Sequence, residues 1–196
     1  PEIVGGHSLG EYSALVAAGS LKFADMARAA GFDITVVSIG STPSLANESE
    51  ILDGITEIRP GTYIFMDASQ TNATDHTWSC AAFVLATVMS LPTPERVILD
   101  VGAKGLTMQS RNEGICAVKG LGDLIDYPGT HIAQMYDEHA IIYNKEFHDA
   151  VKVGDVVRIA PVHICPVVNL YDELYLIDEN GNIEKTLPVL CRGKLR

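Results

Sequence analysis

An α/β portion followed by a longer, mainly β portion is the architecture this sequence predicts, on three observations. Strand-like and helix-like runs alternate from Glu2 to about Met66. Beyond about residue 75, short β-branched runs separated by turn residues replace helical spacing. Near the end, Asp178-Glu179-Asn180-Gly181-Asn182 is a strong hairpin signal, because Asn-Gly accepts the positive φ angles of a tight β-turn.

Taken in order, Glu2 to Gly5 reads as a short strand and Leu9 to Ala18 as a helix with Leu9, Tyr12, Leu15 and Val16 on one stripe. Gly19 is a helix stop by composition, and Phe23 to Ala30 a second helix ending at Gly31. Ile34 to Ile39 reads as a buried strand, followed by the turn Gly40-Ser41-Thr42-Pro43. Ile55 to Ile58 and Thr62 to Met66 read as strands broken by Arg59-Pro60-Gly61. The β portion then offers Ala82 to Ser90, Arg96 to Asp100, His131 to Tyr136, Ala140 to Tyr143, Val156 to Ile159, Val167 to Leu170 and Leu174 to Ile177. Short strands with regular turns of this kind suit a compact barrel or sandwich.

Composition narrows the function. The 196 residues are 47% hydrophobic and 20% charged, enough to bury a core. A net charge of −11 repels phosphate backbones and argues against nucleic-acid partners. Every apolar run is shorter than the roughly 18 residues of a membrane span, and the N-terminus lacks the basic and apolar regions of a signal peptide. There is no starting methionine, so the sequence reads as a fragment or a processed piece. Cys80, Cys116, Cys165 and Cys191 form no CxxC pair and read as reduced thiols of a cytoplasmic protein.

Two constellations carry chemistry. Gly6-His7-Ser8-Leu9-Gly10 matches G-x-S-x-G, in which flanking glycines let the chain turn sharply from strand to helix and expose a serine. The run from Gly6 to Gly19 resembles the active-site segment of malonyl-CoA:acyl carrier protein transacylase, which would make Ser8 an acylated nucleophile. Arg28 lies near the place of that family's carboxylate-binding arginine but outside its surrounding sequence, and no later histidine has a matching context. Acyl transfer through Ser8 is therefore the alternative reading, over residues 1–27.

The second constellation is spread over the remainder. Gly40-Ser41-Thr42 after a strand offers backbone N–H groups and two hydroxyls, a composition that suits a phosphate as well as a plain turn. Arg59 and Tyr63 are candidates for orienting a cofactor, or else a salt-bridge residue and a strand aromatic. His163 and Cys165, two apart, would share one face of a strand and are donors that zinc prefers. Lys104 reads as a surface or structural lysine, and His139 sits on a loop after Asp137-Glu138.

From about Arg28 onward the sequence resembles the C-terminal part of the D-serine dehydratase and D-threonine aldolase family, fold-type III enzymes related to alanine racemase. The stretches that carry this are Ala30-Gly31-Phe32-Asp33-Ile34 through Ser44, Thr56 to Tyr63, Asp100-Val101-Gly102-Ala103-Lys104, Asp137-Glu138-His139, Pro161-Val162-His163-Ile164-Cys165-Pro166 and Cys191-Arg192-Gly193-Lys194. The resemblance implies that residues 28–74 end a pyridoxal-phosphate-binding (β/α)8 barrel, and that residues 75–196 form a D-serine dehydratase-like metal-binding β domain. In such barrels phosphates commonly sit at the loops after strands seven and eight, which would be those ending at Gly40 and Arg59.

It further implies pyridoxal 5'-phosphate as cofactor, bound through Gly40, Ser41, Thr42, Arg59 and Tyr63. A divalent metal, zinc or alternatively manganese, would be held at His163 and Cys165. The substrate would be a D-3-hydroxy amino acid, dehydrated as D-serine is or cleaved as D-threonine is, with His-x-Cys leaning towards dehydration. The full-length family implies a homodimer. The family's Schiff-base lysine lies near the start of the barrel and has no counterpart here, so these residues alone are expected not to be a competent lyase.

Overall fold

The computed structural model describes residues 3–5, 13–40, 42–43, 51–74 and 79–194. The chain divides into two units, Pro1–Ala81 with Glu113–Ala117, and Ala82–Asn112 with Val118–Arg196.

The first unit is a parallel α/β piece. Strands β1 (Ile3–Gly5), β2 (Val36–Ile39) and β3 (Glu57–Ile58) lie in that order, and helix α1 (Ser13–Ala29) makes the crossover between β1 and β2. Ala24, Ile34 and Val37 form the buried seam between helix and sheet, with Leu21, Ala27 and Ile55 packed against it. Two helices broken at Gly19 were expected from sequence; one continuous helix is found, and it also runs through the boundary drawn at residue 27. An interior glycine costs about 1 kcal/mol, and burying the Leu21-Ala24-Ala27 stripe offsets that. Gly31 does end the helix. Its φ is +88°, its N–H reaches the Arg28 carbonyl at 2.9 Å, and the Phe32 N–H reaches the Ala27 carbonyl at 3.0 Å. This is the paired bonding of a Schellman cap.

Thr62 to Met66, expected as a strand, instead forms a 3-10 turn over Thr62–Ile64. The Thr62 carbonyl accepts from both Phe65 and Met66, so the backbone closes on itself. Helix α2 (Ala68–Ala73) follows at once, because the Asp67 carboxylate caps it by accepting from Gln70 N at 2.8 Å.

The second unit is a curled antiparallel sheet in the order β6 (Gly122–Leu124), β9 (Val156–Pro161), β4 (Val84–Thr93), β5 (Arg96–Leu99), β8 (Ala140–Tyr143), β7 (Gln134–Met135). Alternation along β4 buries Val84, Ala86 and Val88 and exposes Leu85 and Met89, the pattern of a sheet with one packed face. Register shifts at Val88/Ser90 and Ser90/Thr93 bend β4. The core holds Val88, Val97, Leu99, Ile132, Ile142, Phe147 and Ile159, with Tyr127 edge-on to Phe147 at 4.7 Å. Short helices α3 (Ala103–Leu106), α4 (Lys145–Ala150) and α5 (Ile164–Val168) punctuate the strands.

The terminal hairpin β10 (Glu173–Ile177) and β11 (Ile183–Pro188) is the one announced by Asn180-Gly181. Asp178 anchors it by accepting from Asn180 N, Asn182 N and Asn182 Nδ2, which hold its carboxyl below the usual carboxylate range. Two strand expectations are corrected here. Of His131 to Tyr136 only Gln134–Met135 pairs in a strand, with His131 in a single bridge to Asp123. Val167 to Leu170 turns as the end of α5, because Ile164 and Val167 bury at helical rather than strand spacing.

Ile142 is fully buried, and its replacement by alanine is expected to cost about 3 kcal/mol in urea denaturation of the chain. A smaller effect is expected of Asp126, which pairs with Arg158 across half-exposed surface. The guanidinium holds the Asp126 carboxyl below its ordinary range. Its contribution is therefore present at neutral pH and lost as pH falls through that lowered value. Solvent screening keeps it to about 1 kcal/mol or less, so D126N and wild type should differ slightly at pH 7, and the difference should shrink as pH falls through the lowered Asp126 pKa.

Candidate functional site

In the first unit the sites of interest lie where the parallel strands end. Gly40 follows β2 directly, and an added Cβ there would lie 3.0 Å from the Arg59 carbonyl oxygen. The Arg59 N–H donates to the Ile39 carbonyl at 2.8 Å. Thr42 is buried, and its hydroxyl accepts from Tyr63 N at 3.2 Å. Gly40, Thr42, Arg59 and Tyr63 are thus brought together by the pairing of β2 with β3 and the turn after it. Ser41 lies outside the described residues. Tyr63 stands in a 3-10 turn, 41% exposed, rather than on a strand.

Sequence reasoning missed two residues of this cluster. Buried Ser38 accepts from Arg59 Nε at 2.7 Å and donates to the Glu57 carboxylate, and Arg59 Nε lies 3.4 Å from Glu57 Oε1. Val37 faces α1, so by strand alternation Ser38 and Gly40 share the opposite face. The available signal was the i, i+2 spacing of Ser38 with Gly40 and of Glu57 with Arg59 on two strands in parallel register. The cluster suits a phosphate. It has Gly40 pressed on the neighbouring strand, a buried hydroxyl and a guanidinium held at Nε by Ser38 beside the Glu57 carboxylate.

In the second unit β9 delivers the chain to the metal-type pair. His163 does not lie on a strand with Cys165. It is the extended N-cap residue of α5, with φ −142° and ψ 118°, and Cys165 lies in the first turn of that helix. The two therefore straddle a strand-to-helix corner, because Pro161 ends β9 and the helix begins at Ile164. Val162, Ile164 and Val167 bury inward while Cys165 is exposed. Imidazole and thiolate remain a donor set that suits zinc. Among the described residues no group of three or more His, Cys, Asp or Glu is gathered as a metal cluster, so two protein ligands are the most this pair supplies.

Lys104 forms an ion pair with Glu138, which raises its pKa through that hydrogen bond, and both side chains are largely exposed. His139 is exposed on the loop between β7 and β8, where its carbonyl accepts from Tyr136 N at 2.8 Å. Ser8, the nucleophile of the acyl-transfer reading, lies outside the described residues.

Residues 81–177 match the protein family described as "Putative serine dehydratase domain". A D-threonine aldolase of Arthrobacter sp. is 32% identical over 175 residues, covering 87% of this chain and 43% of that protein. The solved D-threo-3-hydroxyaspartate dehydratase of Delftia sp. HT23 superposes with a TM-score of 0.75 at 26% identity, over 93% of this chain and 52% of that one. Solved variants of a D-threo-3-hydroxyaspartate dehydratase change a histidine and a cysteine two positions apart, the cysteine variant in a metal-free form. The chain spans about half the length of the relatives it matches. The fold is that of alanine-racemase-like, fold-type III enzymes. With the parallel piece and the curled sheet both covered by these matches, the chain belongs to the D-serine dehydratase and D-threonine aldolase family and corresponds to the C-terminal part of its members.

Proposed function

We propose that this chain provides the phosphate-binding turn and the metal-holding pair of a pyridoxal-phosphate- and metal-dependent lyase acting on D-3-hydroxy amino acids. The observation that carries the reading is the His163-x-Cys165 pair. It falls within the matched domain, at a strand-to-helix corner, with the same spacing as the histidine and cysteine changed in the dehydratase variants. That spacing leans towards dehydration, with aldol cleavage the other outcome open to such a site.

Residues of the first unit would hold the cofactor's phosphate. Gly40 lets the turn backbone approach closely, and Thr42, buried and bonded to Tyr63 N, keeps the turn from collapsing. Arg59, held at Nε by Ser38 beside the Glu57 carboxylate, would offer its guanidinium at the strand ends, and Tyr63, tied by its backbone N–H to Thr42, an exposed ring and hydroxyl. Pyridoxal phosphate, when bound, supplies an electron sink for charge developing at the substrate α-carbon. In the second unit the His163 imidazole and Cys165 thiolate would hold a divalent ion, zinc by donor chemistry. There it would supply Lewis acidity towards a substrate hydroxyl. Two protein ligands leave coordination positions for water and substrate.

Lys104 does not stand in for a Schiff-base lysine. It is exposed and tied to Glu138. The proposal concerns the whole protein to which such a C-terminal part belongs, and the 196-residue chain by itself is expected not to turn over D-serine.

Metal content decides the reading first. The purified chain is expected to carry close to one zinc, and both His163→Ala and Cys165→Ala to lose it while keeping the wild-type circular dichroism. A folded wild-type chain free of metal after zinc reconstitution would overturn the metal half of the proposal. For the phosphate turn, Gly40→Ala forces a Cβ against Arg59. It should weaken binding of pyridoxal phosphate, followed by its absorbance or by equilibrium dialysis, about ten-fold or more. Unchanged binding would remove the turn from the site.

A further inference from the structure

The outer side of α5 carries Cys165, but its orientation is set from the inner side. Ile164 and Val167 are 4% and 2% exposed, and Tyr171 continues the same stripe at i, i+3, i+7. Turn bonds prolong the helix past its end, with Leu170 N donating to the Val167 carbonyl at 2.9 Å and Tyr171 N to the Val168 carbonyl at 3.2 Å. The Tyr171 ring packs on the core, and its hydroxyl donates to the Gly105 carbonyl at 3.0 Å. Burial pushes the phenol pKa up, so the group stays a donor throughout the neutral range.

Gly105 belongs to α3, which cannot shift freely. At Gly102 an added Cβ would lie 2.2 Å from the Tyr136 carbonyl oxygen, so the backbone there rests directly on the loop that carries Asp137 and His139. Ala103 N donates to the Tyr136 carbonyl at 2.8 Å, Lys104 N to the Asp137 carbonyl at 3.2 Å, and the Lys104–Glu138 pair closes the same junction. At Gly105 an added Cβ would lie 3.0 Å from the Tyr171 hydroxyl and 2.8 Å from Val101 Cγ2. One continuous series of contacts therefore runs from residues 136–139 through α3 to Tyr171 and the helix bearing Cys165.

We infer that Tyr171 is a positioning residue for the His163–Cys165 metal pair, acting through its hydrogen bond to Gly105 on an α3 clamped against the 136–139 loop. The inference rests on the metal reading proposed above. Two donors on either side of a helix N-terminus bind a metal tightly only if that helix is held at one rotation. A helix of five residues has too few bonds of its own to hold it. Groups hydrogen-bonded directly to metal ligands commonly change affinity by about ten-fold to a hundred-fold, and a bond that sets the rotation of the ligand-bearing helix is expected at the low end of that range.

The test is a cobalt(II) titration of the 196-residue chain, read by the thiolate-to-cobalt charge-transfer band in the near ultraviolet. Tyr171→Phe keeps the buried ring and removes only the hydroxyl. Tyr175→Phe, on the exposed face of β10, is the control. The expected result is one cobalt per wild-type chain, the same affinity for Tyr175→Phe, and about ten-fold weaker binding for Tyr171→Phe with its circular dichroism unchanged. Gly105→Ala should weaken cobalt binding in the same direction, although helix propensity alone predicts a more stable α3. It decides the matter should Tyr171→Phe prove unfolded. Wild-type affinity in a folded Tyr171→Phe chain overturns the positioning role while leaving the metal site intact. Absence of cobalt binding by the folded wild type overturns the metal reading itself and the positioning role with it.

Discussion

The pairing of β9 between β4 and β6 is the constraint on which the second unit depends. Val157 and Ile159 point into the core from β9, between Val84 and Ala86 on one neighbour and Leu124 on the other. Because alternate residues must face alternate sides, burying Val157 and Ile159 fixes the register of the whole strand. That register fixes where the strand ends, at Pro161, and hence where His163 leaves the sheet. A one-residue slip would move the metal-type pair by one position and turn its apolar neighbours outward.

The first unit solves a similar problem with parallel strands. Parallel pairing requires a crossover, and α1 supplies it by laying Ala24 and its neighbours over Val37 and Ile34. With that face covered by the helix, the other face and the strand ends are left for polar groups. Ser38, Glu57 and Arg59 occupy them as a hydrogen-bonded set, next to the glycine turn. The division of labour is the one expected of parallel α/β proteins, in which strand carboxyl ends carry the chemistry.

Legibility of the fold from sequence followed the range of the forces involved. The Gly31 helix stop and the hairpin at Asn180-Gly181 were legible because each is a local event set by one glycine φ, +88° at Gly31 and +83° at Gly181, although Asn180 does not take the positive φ expected of it. Gly19, Thr62 to Met66 and Val167 to Leu170 were misread. At Gly19 the choice was between one helix and two, and in the other runs a short apolar or mixed stretch fits helix and strand equally; packing and capping around each run arbitrate. The stripe packed under α1 carried the helix through Gly19, the Asp67 cap drew the chain into α2, and the core took Ile164 and Val167 at helical spacing.

The candidate site was legible as chemistry and not as geometry. Residue types made His163 with Cys165 a possible donor pair, and Gly40 to Thr42 a phosphate turn or a plain one, because donor identity and side-chain size are properties of single residues; the family resemblance then assigned them, with Arg59, to metal and cofactor. Only the folded chain decided that His163 stands at the start of a helix instead of lying on a strand, and that Ser38 and Glu57 orient Arg59. It alone decided that Tyr171 reaches Gly105 across 66 residues of sequence. Those outcomes depend on register, burial and close backbone approach between distant segments, which no local spacing encodes.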